Sequence, residues 1–189
     1  HRSAFRASSS NFSTDTSPCR MSKKQISNPN LDNIAMESTG LSHLTTGLGG
    51  DAESCMVDVG SKPITERVAV ASAQVVFPAG ILADIEAGAG PKGSLQALLE
   101  VARVAGIMAA KRTGDLIPMC HPLGLDHVEI TFLRNGTDML EIRCTAACKG
   151  RTGIEMEAMT GASLAALTVY DMTKALAKGI RLESGCLLE

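Results

Sequence analysis

Two short stretches around Asn135-Gly136 constrain the fold more than anything else in the chain. His127 to Leu133 (HVEITFL) and Met139 to Thr145 (MLEIRCT) alternate apolar and polar residues on either side of that dipeptide. Alternation in twos sends successive side chains to opposite faces of a strand, and Asn-Gly accepts the positive φ angles of a tight hairpin turn. The two stretches are expected to be antiparallel partners, and everything else must pack around them. Upstream, Val68 to Phe77 sets Val68, Val70, Gln74 and Val76 in the same period, a strand expected to bury that face. From Ser94 to Arg112 the period lengthens: Leu95, Leu98, Leu99, Ala102, Ala105 and Met108 recur at helical spacing, with Ser94 as N-cap and Lys111 and Arg112 closing the end. A second helix is expected from about Ile154 to Lys178, and a glycine-interrupted strand from Ile180 to Leu188. The order β, α, β, β, α, β predicts an α+β domain of ferredoxin-like form, a four-stranded antiparallel sheet with two helices on one face.

Composition removes several function classes. With 189 residues, 44% of them apolar, the chain can bury one real core and carry something extra. A net charge of -2, one Tyr, four Phe and no Trp leave little on which nucleic-acid bases could stack, and the hairpin strands offer only Phe132. No nucleic-acid partner is expected. No apolar run approaches the roughly 20 residues of a membrane span, so no membrane partner is expected either. The six cysteines (Cys19, Cys55, Cys120, Cys144, Cys148, Cys186) form no CxxC pair, and Cys144 with Cys148 has no His at ligand spacing. They read as reduced thiols of an intracellular protein, and no metal site is expected.

Residues 1–54 differ from the rest. They are rich in Ser, Thr, Asn and Gly, poor in periodic apolar positions, and end in the run Gly47 to Gly50, a disordered extension by composition. Its first 31 residues set Arg2, Arg6, Arg20, Lys23 and Lys24 against Asp15, the Ser-rich and acid-poor balance of an organellar transit peptide. That places the protein in the mitochondrial matrix, with a cytoplasmic protein bearing a polar tail as the alternative. The chain begins at His1, and Met21, Met36 and Met56 are candidate starts. The folded domain is expected over 55–189.

Chemistry concentrates in three places. KRTGDLIPMCHPL, from Lys111 to Leu123, sets Cys120 and His121 between Pro118 and Pro122, which restrict the backbone on both sides. The second helix carries Glu155 and Glu157 in its first turn and Asp171 with Lys174 near its end. Acids at a helix start complement its dipole, and an acid and a lysine three residues apart make an ordinary surface pair. Alternatively, Val169, Met172 and Leu176 around Asp171 and Lys174 would cover a partly buried pair with shifted proton affinities, as general acid and base work requires. The third place is basic. Lys149, Gly150, Arg151, Thr152 and Gly153 lead into a helix N-terminus as a glycine-flanked loop, and Lys92 and Arg67 add cations that could meet one polyphosphate if the fold gathers them.

Taken consecutively, MVDVGSKPITERVAVA, PKGSLQALLEVARVAGIMAAKRTGDLIPMCHPL and GRTGIEMEAMTGASLAALTVYDMTKA resemble the cyclic pyranopterin monophosphate synthase family, the MoaC proteins of molybdenum cofactor biosynthesis. The resemblance covers Met56 to Glu189. It implies a lyase of ferredoxin-like fold that assembles as a homohexamer, a trimer of dimers with active sites at subunit interfaces. It implies a small-molecule substrate, 3',8-cyclo-7,8-dihydro-GTP, rearranged to cyclic pyranopterin monophosphate with release of diphosphate and no cofactor. By matching motif positions it implies catalytic roles for Asp171 and Lys174 in YDMTK and for Lys92 in PKG. It likewise implies substrate binding by Met119, Cys120 and His121 in PMCHP, by Glu155, Met156 and Glu157 in IEMEA, and by Arg67 in TERVA, an arginine on the phosphates. Proton transfers suit an Asp, a Lys and a His, and expulsion of diphosphate suits cations.

Two departures from the family pattern bear on the expectation. The usual KGD reads Lys92-Gly93-Ser94 here, a change that bears on the helix start, since Ser94 caps. The family continues past a segment like GCLLE into a glycine-rich tail whose lysine reaches the active site, a tail expected beyond Glu189. Without it, the alternative is a non-catalytic nucleotide-binding or assembly subunit of the same fold.

Overall fold

The computed structural model describes residues 42–46, 51–88 and 94–189, and the asparagine-glycine hairpin forms where alternation placed it. In chain order the elements are β1 (Leu44–Thr46), β2 (Ala52–Ser54), β3 (Thr65–Val76), α1 (Ile81–Glu86), α2 (Leu95–Ala110), α3 (Thr113–Leu116), β4 (His127–Asn135), β5 (Met139–Gly150), α4 (Glu155–Thr173) and β6 (Arg181–Leu187). The transit-like residues 1–31, Cys19 and Lys92 lie outside the described residues. Among those described, no helix is long and apolar enough to cross a membrane.

The fold is α+β with an antiparallel sheet. Strands pair in the order β4-β5-β3-β6, every pair antiparallel, and β1 pairs with β2 in a separate small hairpin. Gly136 turns the β4–β5 connection at φ 70, a conformation open to glycine. Ser94 caps α2 by accepting the Ala97 N–H at 3.3 Å, and Lys111 is its C-cap residue. In β6, the pairing with β3 slips between Ser72 and Gln74, where Gly185 relaxes the ladder.

The face of β3 that packs inward is the reverse of the one expected. Ala69, Ala71, Ala73 and Val75 are buried against the helices, whereas Val68 is 61% exposed and Val70, Gln74 and Val76 lie on the opposite face. The cause is the surface offered by α4, which is built from small residues: Ala158, Gly161, Ala162, Ala165 and Ala166 are all buried. Alanine against alanine lets helix and sheet approach closely, and the larger valines would hold them apart. The same logic joins the two long helices. A Cβ on Gly106 would sit 2.8 Å from the Gly161 carbonyl oxygen, and one on Gly161 would sit 2.6 Å from Cys144 Sγ. Of the stripe expected on α2, Leu98 and Ala102 are buried, but Met108 turns outward because that seam runs through Gly106, Ala109 and Ala110.

The second helix ends earlier than expected, at Thr173, with Lys174 as C-cap. The basic loop expected at Lys149 to Gly153 is shorter, because Lys149 and Gly150 complete β5. Its Arg151 donates to the Gly60 carbonyl, and the Lys149 backbone N–H donates to Asp126 Oδ2 at 2.9 Å.

Candidate active site

At the N-terminal end of α4 the chain builds a cavity of about 200 Å³. Met119, Cys120, His121 and Leu123 enter it from the proline-bounded segment after α3, and Thr152, Gly153, Glu155, Met156 and Glu157 from the start of α4. His43, just before β1, completes the wall. Five residues of the site expected from sequence therefore meet as neighbours, with Met156 a sixth. What positions them is local. Ile154 at the N-cap has no capping side chain, so Glu155 and Glu157 are the acceptors nearest the free N–H groups of the first turn. Gly153 leaves room for the Glu155 carboxylate, which a Cβ there would strike.

Glu157 is the centre of this end. Only 4% of it is exposed, and it also borders a smaller cavity of about 60 Å³ lined by Lys111, Arg112 and Thr113. Burial pushes its carboxyl above the usual range, a hydrogen bond with its own backbone opposes this, and Glu155 adds to the rise. Two thiols feel Glu157. Burial and then Glu157 push the Cys120 thiol up; burial, Asp126 and Glu157 do the same to Cys148, with Arg67 opposing. Cys144, deeper in the core, is pushed up to about 12 by burial. These sulfurs stay protonated at neutral pH, packing groups and weak donors instead of nucleophiles. The five described cysteines are free.

Arg67 does not line this cavity. It lies on the helix-facing side of β3 opposite Cys148, and its Nε is buried with no hydrogen-bond partner among the described residues. Also among the described residues, no group of three His, Cys, Asp or Glu side chains is placed to hold a metal ion.

Asp171 and Lys174 are elsewhere. At about 1.5 Å of rise per residue, Glu157 and Asp171 stand about 21 Å apart along α4. Lys174 Nζ donates to Asp171 Oδ1 at 2.6 Å, and the two side chains are 57% and 66% exposed, so the partly buried pair considered from sequence is a surface pair in this chain. The hydrogen bond and charge of Asp171 raise the Lys174 pKa, which keeps the amine protonated and cationic at neutral pH. Beside them runs an open groove lined by Leu164, Leu167, Thr168, Tyr170 and Asp171. Sequence reasoning placed Thr152 and Gly153 in a loop for an anion and missed His43 as a cavity residue; it sits in a stretch that composition marks as an appendage, and no residue-level signal singles it out.

These features coincide with a known family. The MoaC family model matches residues 56–189. The chain belongs to the MoaC family. Among relatives of this MoaC protein, the cyclic pyranopterin monophosphate synthase 1 of Mycobacterium tuberculosis is 51% identical over 134 residues, 71% of this chain and 77% of its own length. The cyclic pyranopterin monophosphate synthase of Novosphingobium aromaticivorans is 50% identical over 149 residues, 79% and 90% of the two chains. That of Chloroflexus aurantiacus is 50% identical over 139 residues, 73% and 83%.

Proposed function

We propose that this MoaC protein is a cyclic pyranopterin monophosphate synthase, a lyase of molybdenum cofactor biosynthesis that converts 3',8-cyclo-7,8-dihydro-GTP to cyclic pyranopterin monophosphate and diphosphate. The observation that carries this, beside relatives of that name at about half identity, is the meeting of Met119, Cys120, His121, Glu155, Met156 and Glu157 in one cavity. The fold is ferredoxin-like, a four-stranded sheet; the strand order β4-β5-β3-β6 with α2 and α4 as the crossing helices supports this.

The active site is shared between subunits of a homohexamer, a trimer of dimers. Two facts support sharing. A cavity of about 200 Å³ is below the range of roughly 300–1,000 Å³ usual for ligand pockets, and Asp171 and Lys174 are too far along α4 to reach it. The carboxylates and methionines of the cavity receive the ring system, while His121, Arg67 and Lys92 serve the phosphates. Asp171 and Lys174 from a neighbouring subunit exchange protons with the rearranging ring. Closure of the cyclic phosphate replaces diphosphate on the innermost phosphorus by a substrate hydroxyl, and the charge that grows on the leaving group calls for those cations.

The test is diphosphate release from freshly prepared 3',8-cyclo-7,8-dihydro-GTP, by this chain and by its Asp171→Ala variant. Release that vanishes with Asp171 is expected. Binding without release in the parent chain would instead favour a nucleotide-binding subunit.

A further inference from the structure

His43 departs from ordinary behaviour in two ways at once. Its backbone sits at φ 66, the only non-glycine residue with positive φ among those described, an uncommon region that Asn, Asp and His enter more readily than other side chains. Its Nδ1 is buried and has no hydrogen-bond partner among the described residues. A buried imidazole nitrogen left unpaired is costly. The backbone is not loose: its carbonyl accepts the Cys55 N–H at 2.9 Å, directly beside the Leu44–Ser54 pair that begins the β1–β2 ladder. The hairpin thus fixes an uncommon conformation whose effect is to set an imidazole in the wall of the Glu157 cavity. A backbone held in one uncommon conformation together with an unpaired buried polar atom in a cavity wall is the pattern of a residue waiting for a ligand.

The lining tells which part of a ligand would meet it. The cavity presents two carboxylates and two methionines, and among the described residues neither Lys nor Arg lines it. Carboxylates repel phosphate and accept N–H groups, and thioethers pack against flat apolar faces. The portion that fits is a nitrogen-rich ring. We infer that His43, which precedes the family-matched residues, is a further substrate-contacting residue whose Nδ1 hydrogen-bonds the purine-derived ring in this cavity, an inference that rests on the function proposed above.

The experiment separates side chain from backbone. Glycine adopts φ 66 freely, so His43→Gly removes the imidazole without straining the hairpin, and His43→Asn keeps a short polar side chain that also tolerates the left-handed region. Binding of 3',8-cyclo-7,8-dihydro-GTP is measured calorimetrically in the Asp171→Ala background, where turnover is arrested. The expected result is a Kd raised about tenfold by His43→Gly, with part of the loss restored by His43→Asn and the melting temperature held or raised by the glycine. In the parent background, His43→Gly should raise KM by a similar factor with kcat changed less than about threefold. A Kd for His43→Gly within about twofold of the control overturns the inference. So does an equal loss in both variants accompanied by a lowered melting temperature, which assigns His43 to folding. If the parent chain binds the nucleotide without releasing diphosphate, the proposed function fails while the binding comparison still decides His43; if nothing binds, both fall.

Discussion

Glu157 and Asp171 are carboxylates on one helix, and the fold treats them in opposite ways. Glu157 is 4% exposed, bordered by two cavities, with its proton affinity raised by burial; the Asp171 side chain is 66% exposed and paired with a lysine that is itself exposed. The helix start is built by its own chain, because the proline-bounded segment after α3 and the residues before β1 close over it. At the helix end Val169 and Thr173 are buried in the core, while among the described residues the face with Asp171 and Lys174 stands open. On the divided active site proposed above, the enclosed end is the half finished within the subunit and the open end the half offered to a neighbour.

The sharpest break of that comparison mixes two dead proteins. Glu157→Ala and Asp171→Ala should each lower diphosphate release by at least about 100-fold. Coexpressed in equal amounts, they should regain about a quarter of parental activity, the share of random pairings that join two intact halves. If both ends of α4 served one site within a chain, no mixture would recover anything, since every chain carries a defect. Rate measurement on the purified mixture, against each parent variant alone, decides between them.

Next in size is the seam that holds the two ends at their distance. Gly161→Ala should cost about 1–3 kcal/mol in unfolding free energy, because its Cβ meets Cys144 Sγ at 2.6 Å and the Gly106 carbonyl at 3.3 Å, neither of which is the free end of a flexible chain. Urea denaturation would measure it. An unchanged midpoint would mean that α2 and α4 are not packed as closely as the Gly106–Gly161 contact requires.

These cases also show what a sequence can disclose. Ser94 at the head of α2 and Gly136 in the β4–β5 turn act within a few residues of themselves, so their roles were legible from spacing alone. The buried face of β3 was not, since both faces are apolar and the choice of Ala69, Ala71, Ala73 and Val75 over the valines belongs to the small-residue surface of α4, far away in sequence. At the site, the residue types in PMCHP and IEMEA could be read, but their meeting could not. The openness of Asp171 and Lys174 was hidden for a similar reason: Val169 is fully buried one turn before Lys174, yet its burial says nothing of the adjacent helix face.

A gentler test uses pH at the enclosed end. Because the folded pKa of Glu157 is raised, the protonated acid is the form the fold prefers, and its contribution is complete below the ordinary carboxylate range and lost as pH rises through the raised value. Glu157→Gln should therefore melt higher than the parent at neutral pH, with the difference vanishing in acid, while substrate binding weakens. A variant that is less stable than the parent at neutral pH would show that the charged form is held by partners the cavity does not otherwise reveal.

The smallest expected change in stability belongs to the open end. Lys174→Met keeps the length of the side chain and removes its charge from an exposed pair with Asp171, where water and salt already screen the attraction and ordering two mobile side chains offsets much of it. Its melting temperature at neutral pH should match that of the parent. Asp171 raises the lysine's pKa, so whatever the pair contributes is fully present below the ordinary lysine value and fades only as pH rises through the raised one; neutral pH is thus where the difference is greatest and still too small to resolve. Turnover, in contrast, should collapse. Scanning calorimetry beside the diphosphate assay gives both readings on one sample, and a clear drop in melting temperature would mean that Lys174 is already covered in the protein as it exists in solution. That outcome would locate the partner surface at this end of α4 even before any subunit is mixed.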